Sequence, residues 1–390
     1  MIHPYTFSPE AVMPALSPVV DDEFLAHVRL ACVPGIGGRL RRMLLEQFGS
    51  PQGVFAASPR EIATVGRIGP KLAASISALA NSPIAANVIE ECRRGGVAVL
   101  VEGDDGYPAL LSRIDDPPGV LFVRGELKAC DALAVAVVGS RHPSPYGKRI
   151  ASQLAGGLVR AGYTVVSGLA RGIDAAAHRG ALDAGGRTIA VLGTGVLNIY
   201  PPEHADLAAE VIGHGALLSE APPLSEGHAG AFPQRNRIVS GLALGTIVVE
   251  AAERSGALIT ARLAGEQGRE VFAVPGQVDC RTARGCHKLI RDGAKLVESV
   301  DDVLEELGPL FEISTSADGR AIRSPAELHL GDVEQQVLAA VDASGSPSSV
   351  DIDGIVAASG LTASQVLSTI GVLEMRRIIR RLPGNRVGRM

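Results

Sequence analysis

Between Val97 and Leu307 the chain alternates short apolar runs with amphipathic stretches. Val- and Ile-rich runs fall at 134–138, 164–166, 188–192, 216–219, 246–250 and 270–274. Each is nearly continuous in apolar character, as strands buried on both faces must be. Between them the apolar spacing turns helical over 147–161, 172–184, 203–213, 234–243 and 256–267. Regular strand–helix alternation predicts an α/β unit built on a doubly wound, mostly parallel sheet.

The flanks follow other patterns. Residues 1–20 carry no Lys or Arg and have Pro at 4, 9, 14 and 18, which is unlike a signal peptide and reads as a flexible tail. Residues 21–80 are helical throughout. Within them, Val33-Pro34-Gly35-Ile36-Gly37 precedes the helical run from Arg39, and Val65-Gly66-Arg67-Ile68-Gly69-Pro70-Lys71 repeats the pattern with Arg67 in place of the first Gly. The turns resemble a SAM-like or helix-hairpin-helix unit, in which backbone N–H groups at a helix start suit a phosphate. A small helical bundle that uses Gly only for tight turns reads equally well. Residues 81–310 make the central domain and 311–330 a polar linker.

The segment 331–390 predicts a winged helix. Val333, Val337, Leu338 and Val341 mark one helix, and Ile352, Ile355 and Val356 a second. Thr362-x-x-Gln365 is a capping box that opens a third, with Val366, Leu367, Ile370 and Leu373 on its apolar side. Residues 378–387 then read as two short strands around Pro383-Gly384.

Composition narrows the class. With 390 residues, 46% of them hydrophobic, the chain is too long for one core and too apolar to be disordered. No run approaches the ~18 consecutive apolar residues of a membrane span, so no membrane contact is expected. The five cysteines, Cys32, Cys92, Cys130, Cys280 and Cys286, are odd in number and scattered, which reads as reduced thiols in a cytoplasmic protein. No metal-ligand spacing is present, and neither a metal nor a cofactor is expected. The net charge of −5 argues at first against nucleic acid.

Four segments carry candidate chemistry. Val137-Val138-Gly139-Ser140-Arg141 runs from a strand toward a helix, with Lys148 further on. There Gly139 admits close approach while Ser140, Arg141 and Lys148 offer donors and charge to a phosphate. Neither G-x-G-x-x-G nor a Walker-type loop is present. Ser167-Gly168-Leu169-Ala170-Arg171-Gly172 forms a second crest. It is followed by Asp174 and His178, one helical turn apart; an acid–base pair and a structural pair are both open, and the absence of a nucleophile or metal set favours the second. Phe232-Pro233-Gln234-Arg235-Asn236-Arg237 places two forked donors around an Asn. Phe232, and Tyr146 in the first segment, could stack on an unpaired base or simply pack. In the fourth segment Glu250 and Glu253 precede Ser255-Gly256 at a helix start.

Taken together, these segments resemble the DprA/Smf family of DNA-processing proteins. The likeness rests on Gly139-Ser140-Arg141, Ser167-Gly168-Leu169-Ala170-Arg171-Gly172-Ile173-Asp174, Leu192-Gly193-Thr194-Gly195, Tyr200-Pro201, Phe232-Pro233-x-Arg235-Asn236-Arg237, Ser255-Gly256-Ala257-Leu258-Ile259-Thr260 and Val274-Pro275-Gly276, in the family's order. The resemblance implies an extended Rossmann-like domain that binds single-stranded DNA without a cofactor, forms homodimers, shields incoming strands and helps load the RecA recombinase in natural transformation. It assigns strand binding to Gly139, Ser140, Arg141, Ser167, Gly168, Arg171, Arg235, Asn236 and Arg237; Lys148 and Gly172 join them on residue chemistry. Gly285-Cys286-His287 departs from the Gly-Thr-Asn expected before Leu289-Ile290.

Two other readings remain. A nucleoside-monophosphate phosphoribohydrolase would use a Pro-Gly-Gly-x-Gly-Thr run and a downstream Glu; here only Gly245-Thr246 and Glu250 correspond. Otherwise no enzyme is expected. A winged-helix transcription regulator would read DNA with the helix at 362–374, which contains no Lys or Arg. The basic residues of that unit gather instead at Arg376, Arg377, Arg380, Arg381, Arg386 and Arg389.

Overall fold

The computed structural model describes residues 21–307, 330–343, 349–376 and 378–389, with short pieces at 314–315, 321–322 and 327. The tail at 1–20 and most of the expected linker lie outside them; within the linker, Ser314–Thr315 pairs antiparallel with Ala321–Ile322.

The centre is a nine-stranded sheet of β1 (Val97–Val101), β2 (Val120–Gly125), β3 (Ala134–Gly139), β4 (Thr164–Ser167), β5 (Thr188–Val191), β6 (Ala216–Ser219), β7 (Gly245–Val249), β8 (Glu270–Ala273) and β9 (Lys295–Leu296), in the order 1-2-6-5-4-3-7-8-9. From β6 across to β9 all pairs are parallel, while β2 joins β6, and β1 joins β2, antiparallel. The six expected parallel strands are all present. Three others escaped the sequence reading. A short apolar run such as Val120-Leu121-Phe122-Val123 has no period that separates strand from buried helix, and β9 is only two residues long.

Strand residues alternate between two cores. Ala134, Ala136 and Val138 face helices Ala231–Gly241 and Gly256–Glu266, while Val135 and Val137 face helices Pro145–Arg160 and Ile173–Asp183. The chain winds outward from β3 to β6 on one side, then crosses back to β7 beside β3. Loops leaving β3 and β7 therefore part at the centre of the sheet, the place where open α/β sheets form a ligand crevice.

At the N-terminal end, helices Asp22–Ala31 and Ile84–Gly95 pack on β1 and β2 through Phe24, Val28, Val88 and Phe122. A separate core of Leu30, Leu44, Ile62 and Ile76 holds the two hairpin turns. Gly35 and Arg67 both have left-handed backbone, φ +90° and +68°, so the two turns share one geometry although only the first has glycine there. Arg41 reaches across to Glu102 and to His27 Nδ1 at 3.0 Å, tying this bundle to the sheet edge. Burial, and then Arg41, pull the His27 pKa down to about 4.

The C-terminal unit has helices Asp332–Ala343, Ile352–Ser359 and Ala363–Met375 and a three-stranded sheet of 350–351, 386–389 and 379–382. The capping box forms: Gln365 N–H donates to Thr362 Oγ1 at 3.3 Å and Thr362 N–H to Gln365 Oε1 at 3.0 Å. Among the described residues, three of the six arginines gathered here form ion pairs inside the unit. Arg389 pairs with Glu327 and Asp342, Arg376 with Glu334, and Arg381 with Glu374.

Candidate functional site

A cleft of about 750 Å³ opens where the loops after β3, β4, β7 and β8 converge. Gly139, Ser140 and Arg141 enter it from β3, and Gly168 and Ala170 from β4. Helix Ala231–Gly241 contributes Phe232, Arg235 and Asn236, and the segments after β7 and β8 contribute Arg254, Arg281 and Arg284. Close packing at the crest requires Gly139, since a Cβ there would lie 1.9 Å from the Val249 carbonyl oxygen.

The helix N-termini that sequence reasoning offered to phosphate already hold the protein's own anions. Helix Pro145–Arg160 is capped by Ser144, whose Oγ accepts from Gly147 N–H at 3.1 Å. Behind that cap sits the Glu250 carboxylate, which accepts from Ser144 N–H at 2.8 Å and from the Ser144 hydroxyl. Glu250 takes a left-handed φ of +52° as it leaves β7, and its carbonyl accepts from Ser140 N–H at 2.7 Å. On the second crest the buried Asp174 carboxylate accepts from Gly168 N–H at 3.2 Å and Ala170 N–H at 3.3 Å. Burial raises the Asp174 pKa, against the pull of Arg235. On both crests, backbone N–H groups are thus already engaged by a carboxyl group of the chain itself.

The cleft's positive field comes instead from side chains. Arg141, Arg254, Arg281 and Arg284 are exposed, and among the described residues none has a carboxylate partner. Arg141 lies over the Phe232 ring, 5.8 Å from its centroid, and Phe232 in turn packs at 5.4 Å against Tyr200. The Phe232 and Tyr200 rings are tilted at 49° to each other, and the Phe232 ring braces the Arg141 guanidinium. Tyr200 and Arg171 line a small annex of the cleft. Sequence reasoning did not assign a binding role to Tyr200, Arg254, Arg281 or Arg284: Tyr200 stood only in a family motif, Arg254 only within the fourth segment, and loop convergence alone brings the four together.

The expected residues divide accordingly. Gly139, Ser140, Arg141, Gly168, Arg235, Asn236 and Phe232 line the cleft. Arg235 is buried and forms its floor: its guanidinium donates to the Val191 carbonyl and packs on Gly168, where a Cβ would stand 2.0 Å from its Nη1. Burial lowers the Arg235 pKa to about 10. Asn236 Nδ2 donates to the Gly256 carbonyl at 3.4 Å. Arg171 faces the annex but is bound to Glu203 at 2.5 Å.

Other expected residues do not reach it. Ser167 is wholly buried and donates to the Val137 carbonyl at 2.7 Å, because the strand end turns its hydroxyl into the sheet. Gly172, φ +85°, is wedged against the Ser140 carbonyl and Pro143 and serves as the turn between crests. Arg237 points away from the cleft, one residue past Asn236 on the helix, and is held by Glu220 at 2.8 Å and Asp116 at 3.1 Å. Lys148 is exposed on its helix, outside the cleft's lining. Tyr146 lines a neighbouring cavity instead.

The enzymatic features resolve as structure. His178 is buried, with Nδ1 at 2.7 Å from Thr188 Oγ1, and burial lowers its pKa to about 3, so it and Asp174 serve different neighbours. Glu250 is turned into Ser144 and Thr246 is buried in β7. His287 reaches the Gly276 carbonyl at 3.0 Å, and Cys286 is buried with its thiol pushed up to about 11 by that burial. Among the described residues no cluster of His, Cys, Asp or Glu is arranged to hold a metal, and no single helix is long and apolar enough to cross a membrane.

Comparison with known proteins agrees with this architecture. Residues 98–308 match the family model of DNA recombination-mediator protein A, 321–385 the DprA winged helix domain and 29–78 a SAM-like helix-hairpin-helix tandem. Protein Smf of Synechocystis sp. is 34% identical over 387 residues, spanning 92% of this chain and 96% of its own. DNA processing protein DprA of Bacillus subtilis is 44% identical over 221 residues, 56% of this chain and 74% of its own. The X-ray structure of DprA from Streptococcus pneumoniae superposes with a TM-score of 0.62 at 36% identity, covering 74% of this chain and 98% of that one. DNA processing protein A of Helicobacter pylori, whose structure concerns its single-stranded DNA binding mode, gives 0.50 at 29% identity, covering 55% and 97%. The chain belongs to the DprA/Smf family of DNA recombination-mediator proteins.

Proposed function

We propose that this protein binds single-stranded DNA in the cleft at the centre of the sheet. The observation that carries the reading is the group of four exposed arginines, Arg141, Arg254, Arg281 and Arg284, none with a carboxylate partner among the described residues, around a floor of buried Arg235. Guanidinium groups grip phosphate oxygens in a forked geometry without reading sequence. The Arg141 guanidinium and the tilted Phe232 and Tyr200 rings supply stacking contacts for one base at the cleft's edge. With eight Phe, five Tyr and no Trp, the chain has little material for a longer stacking platform, so affinity rests mainly on phosphate. The single-stranded DNA binding of the Helicobacter pylori relative supports the same assignment.

On this reading the protein acts in the cytoplasm as a homodimer that shields an incoming strand and passes it to the RecA recombinase during transformation. It brings no cofactor and catalyses no bond cleavage. The test is titration of a labelled oligothymidylate at several salt concentrations. If all four arginines engage phosphate, log Kd should rise with log salt at a slope of about 3. Salt-independent binding, or none, would overturn the assignment. RecA filament formation on strands precoated with a single-strand binding protein, with and without this protein, tests delivery. Incubation with AMP tests the phosphoribohydrolase alternative, which requires release of adenine.

A further inference from the structure

Beside the arginine cleft lies a second cavity of about 580 Å³, within the range of small-molecule sites. Its walls include Tyr146, Pro145, Val274, Pro275, Gln277 and Cys280. No Lys or Arg lines it, and the Glu250 carboxylate forms part of its wall, so it does not suit a phosphate. It is largely apolar, with polar groups at few points.

The two cavities share their partitions. After β3, Ser140 and Arg141 face the cleft, while Ser144, Pro145 and Tyr146 face the second cavity. After β8, Arg281 and Arg284 face the cleft, while Cys280 and Ala283 face the cavity. A chain of phosphates held by Arg281 and Arg284 therefore runs along the rim of an apolar pocket. The part of a nucleotide that prefers such a pocket is its base.

We infer that the second cavity receives one unstacked nucleobase of the bound single strand, with Tyr146 as its stacking surface. The inference rests on the strand-binding reading of the cleft. Tyr146 is 39% exposed, and its ring is already oriented. The Arg149 guanidinium sits 5.7 Å from the ring centroid, and the Tyr146 hydroxyl donates to the Pro275 carbonyl at 3.4 Å. Gln277 is exposed, and its side-chain amide has no partner among the described residues, leaving a donor and an acceptor for a base edge.

The test is a coupling cycle between base and ring. Twelve-residue oligothymidylates, each with one abasic position, are titrated against wild type, Tyr146→Ala and Tyr146→Phe. Tyr146→Ala should weaken the intact strand about five-fold, the low end for loss of one base–aromatic stack, with an unchanged salt slope. One abasic position should weaken wild type by a similar factor and Tyr146→Ala no further, while Tyr146→Phe keeps wild-type affinity. Additive losses, or no sensitive abasic position, overturn the inference. If Arg141→Ala weakens binding and Tyr146→Ala does not, the base site alone fails; if wild type does not bind the strand at all, both readings fail. Thymidine monophosphate is the other source of the same chemistry. Should it bind alone at millimolar concentration with the same loss in Tyr146→Ala, the site serves free nucleotides and the strand assignment is overturned.

Discussion

The Glu250 carboxylate stands 2.8 Å from the Ser144 backbone nitrogen, behind the cap of helix Pro145–Arg160. The first crest therefore carries its own anion, and a phosphate cannot use that helix start. A Cβ on Gly147 would lie 2.6 Å from the Glu250 carboxyl carbon, so the carboxylate is also sterically fitted. Replacing Glu250 with Ala leaves the Ser144 N–H and hydroxyl without their acceptor. The expected loss of stability is about 1–3 kcal/mol in urea denaturation. A change below about 0.5 kcal/mol would show that the pair is dispensable.

Arg141 is exposed and braced by Phe232, so its removal should leave the fold intact. Arg141→Ala is expected to keep the wild-type melting temperature and lower the salt slope of strand binding by about 0.7, the share of one phosphate contact. An unchanged slope in the folded variant would remove Arg141 from the interface.

Arg237 should behave in the opposite way, although it lies in the same six-residue motif. Its guanidinium is held between Glu220 and Asp116, and burial acts against its charge less than those carboxylates support it. Arg237→Met is expected to cost about 3 kcal/mol, because it leaves the two carboxylates without their partner. Binding measured well below the melting temperature should retain the wild-type salt slope. A reduced slope would mean that Arg237 leaves its network to meet the strand.

His178 sets a pH dependence of stability. Its pKa falls from 6.5 to about 3 on folding because burial disfavours the imidazolium. The unfolded chain therefore binds the proton more tightly, and stability present above pH 6.5 is lost as pH falls toward about 3. Between pH 7 and pH 5 this one group should remove about 2 kcal/mol. Urea midpoints at the two pH values test this in wild type against His178→Gln, which should show a flatter dependence.

Much of the architecture was legible in the residue pattern. Buried parallel strands must be apolar on both faces, and that demand marks β3 to β8 in the sequence. The Thr362–Gln365 capping box and the Pro383–Asn385 turn likewise act over a few residues, so the C-terminal unit could be outlined without coordinates. β1, β2 and β9 were not legible, since pairing toward the two ends of the sheet is a long-range choice that short runs do not encode.

The candidate site divides along the same line. The alternation predicted a doubly wound sheet, in which crests at strand ends can lie side by side; the strand order, with its crossover from β6 back to β7 beside β3, came from the tertiary structure and fixed which loops meet. Tertiary structure decided which side chains in those loops are free. Neighbours on one helix can face opposite ways: Asn236 reaches the cleft while Arg237 turns to Glu220 and Asp116. Whether a charge is available depends on carboxylates far away in sequence, such as Glu250 beside Ser144, and no local pattern records them. The net charge of −5 sums over all such pairs. The cleft's character comes from the few arginines that have no carboxylate partner among the described residues.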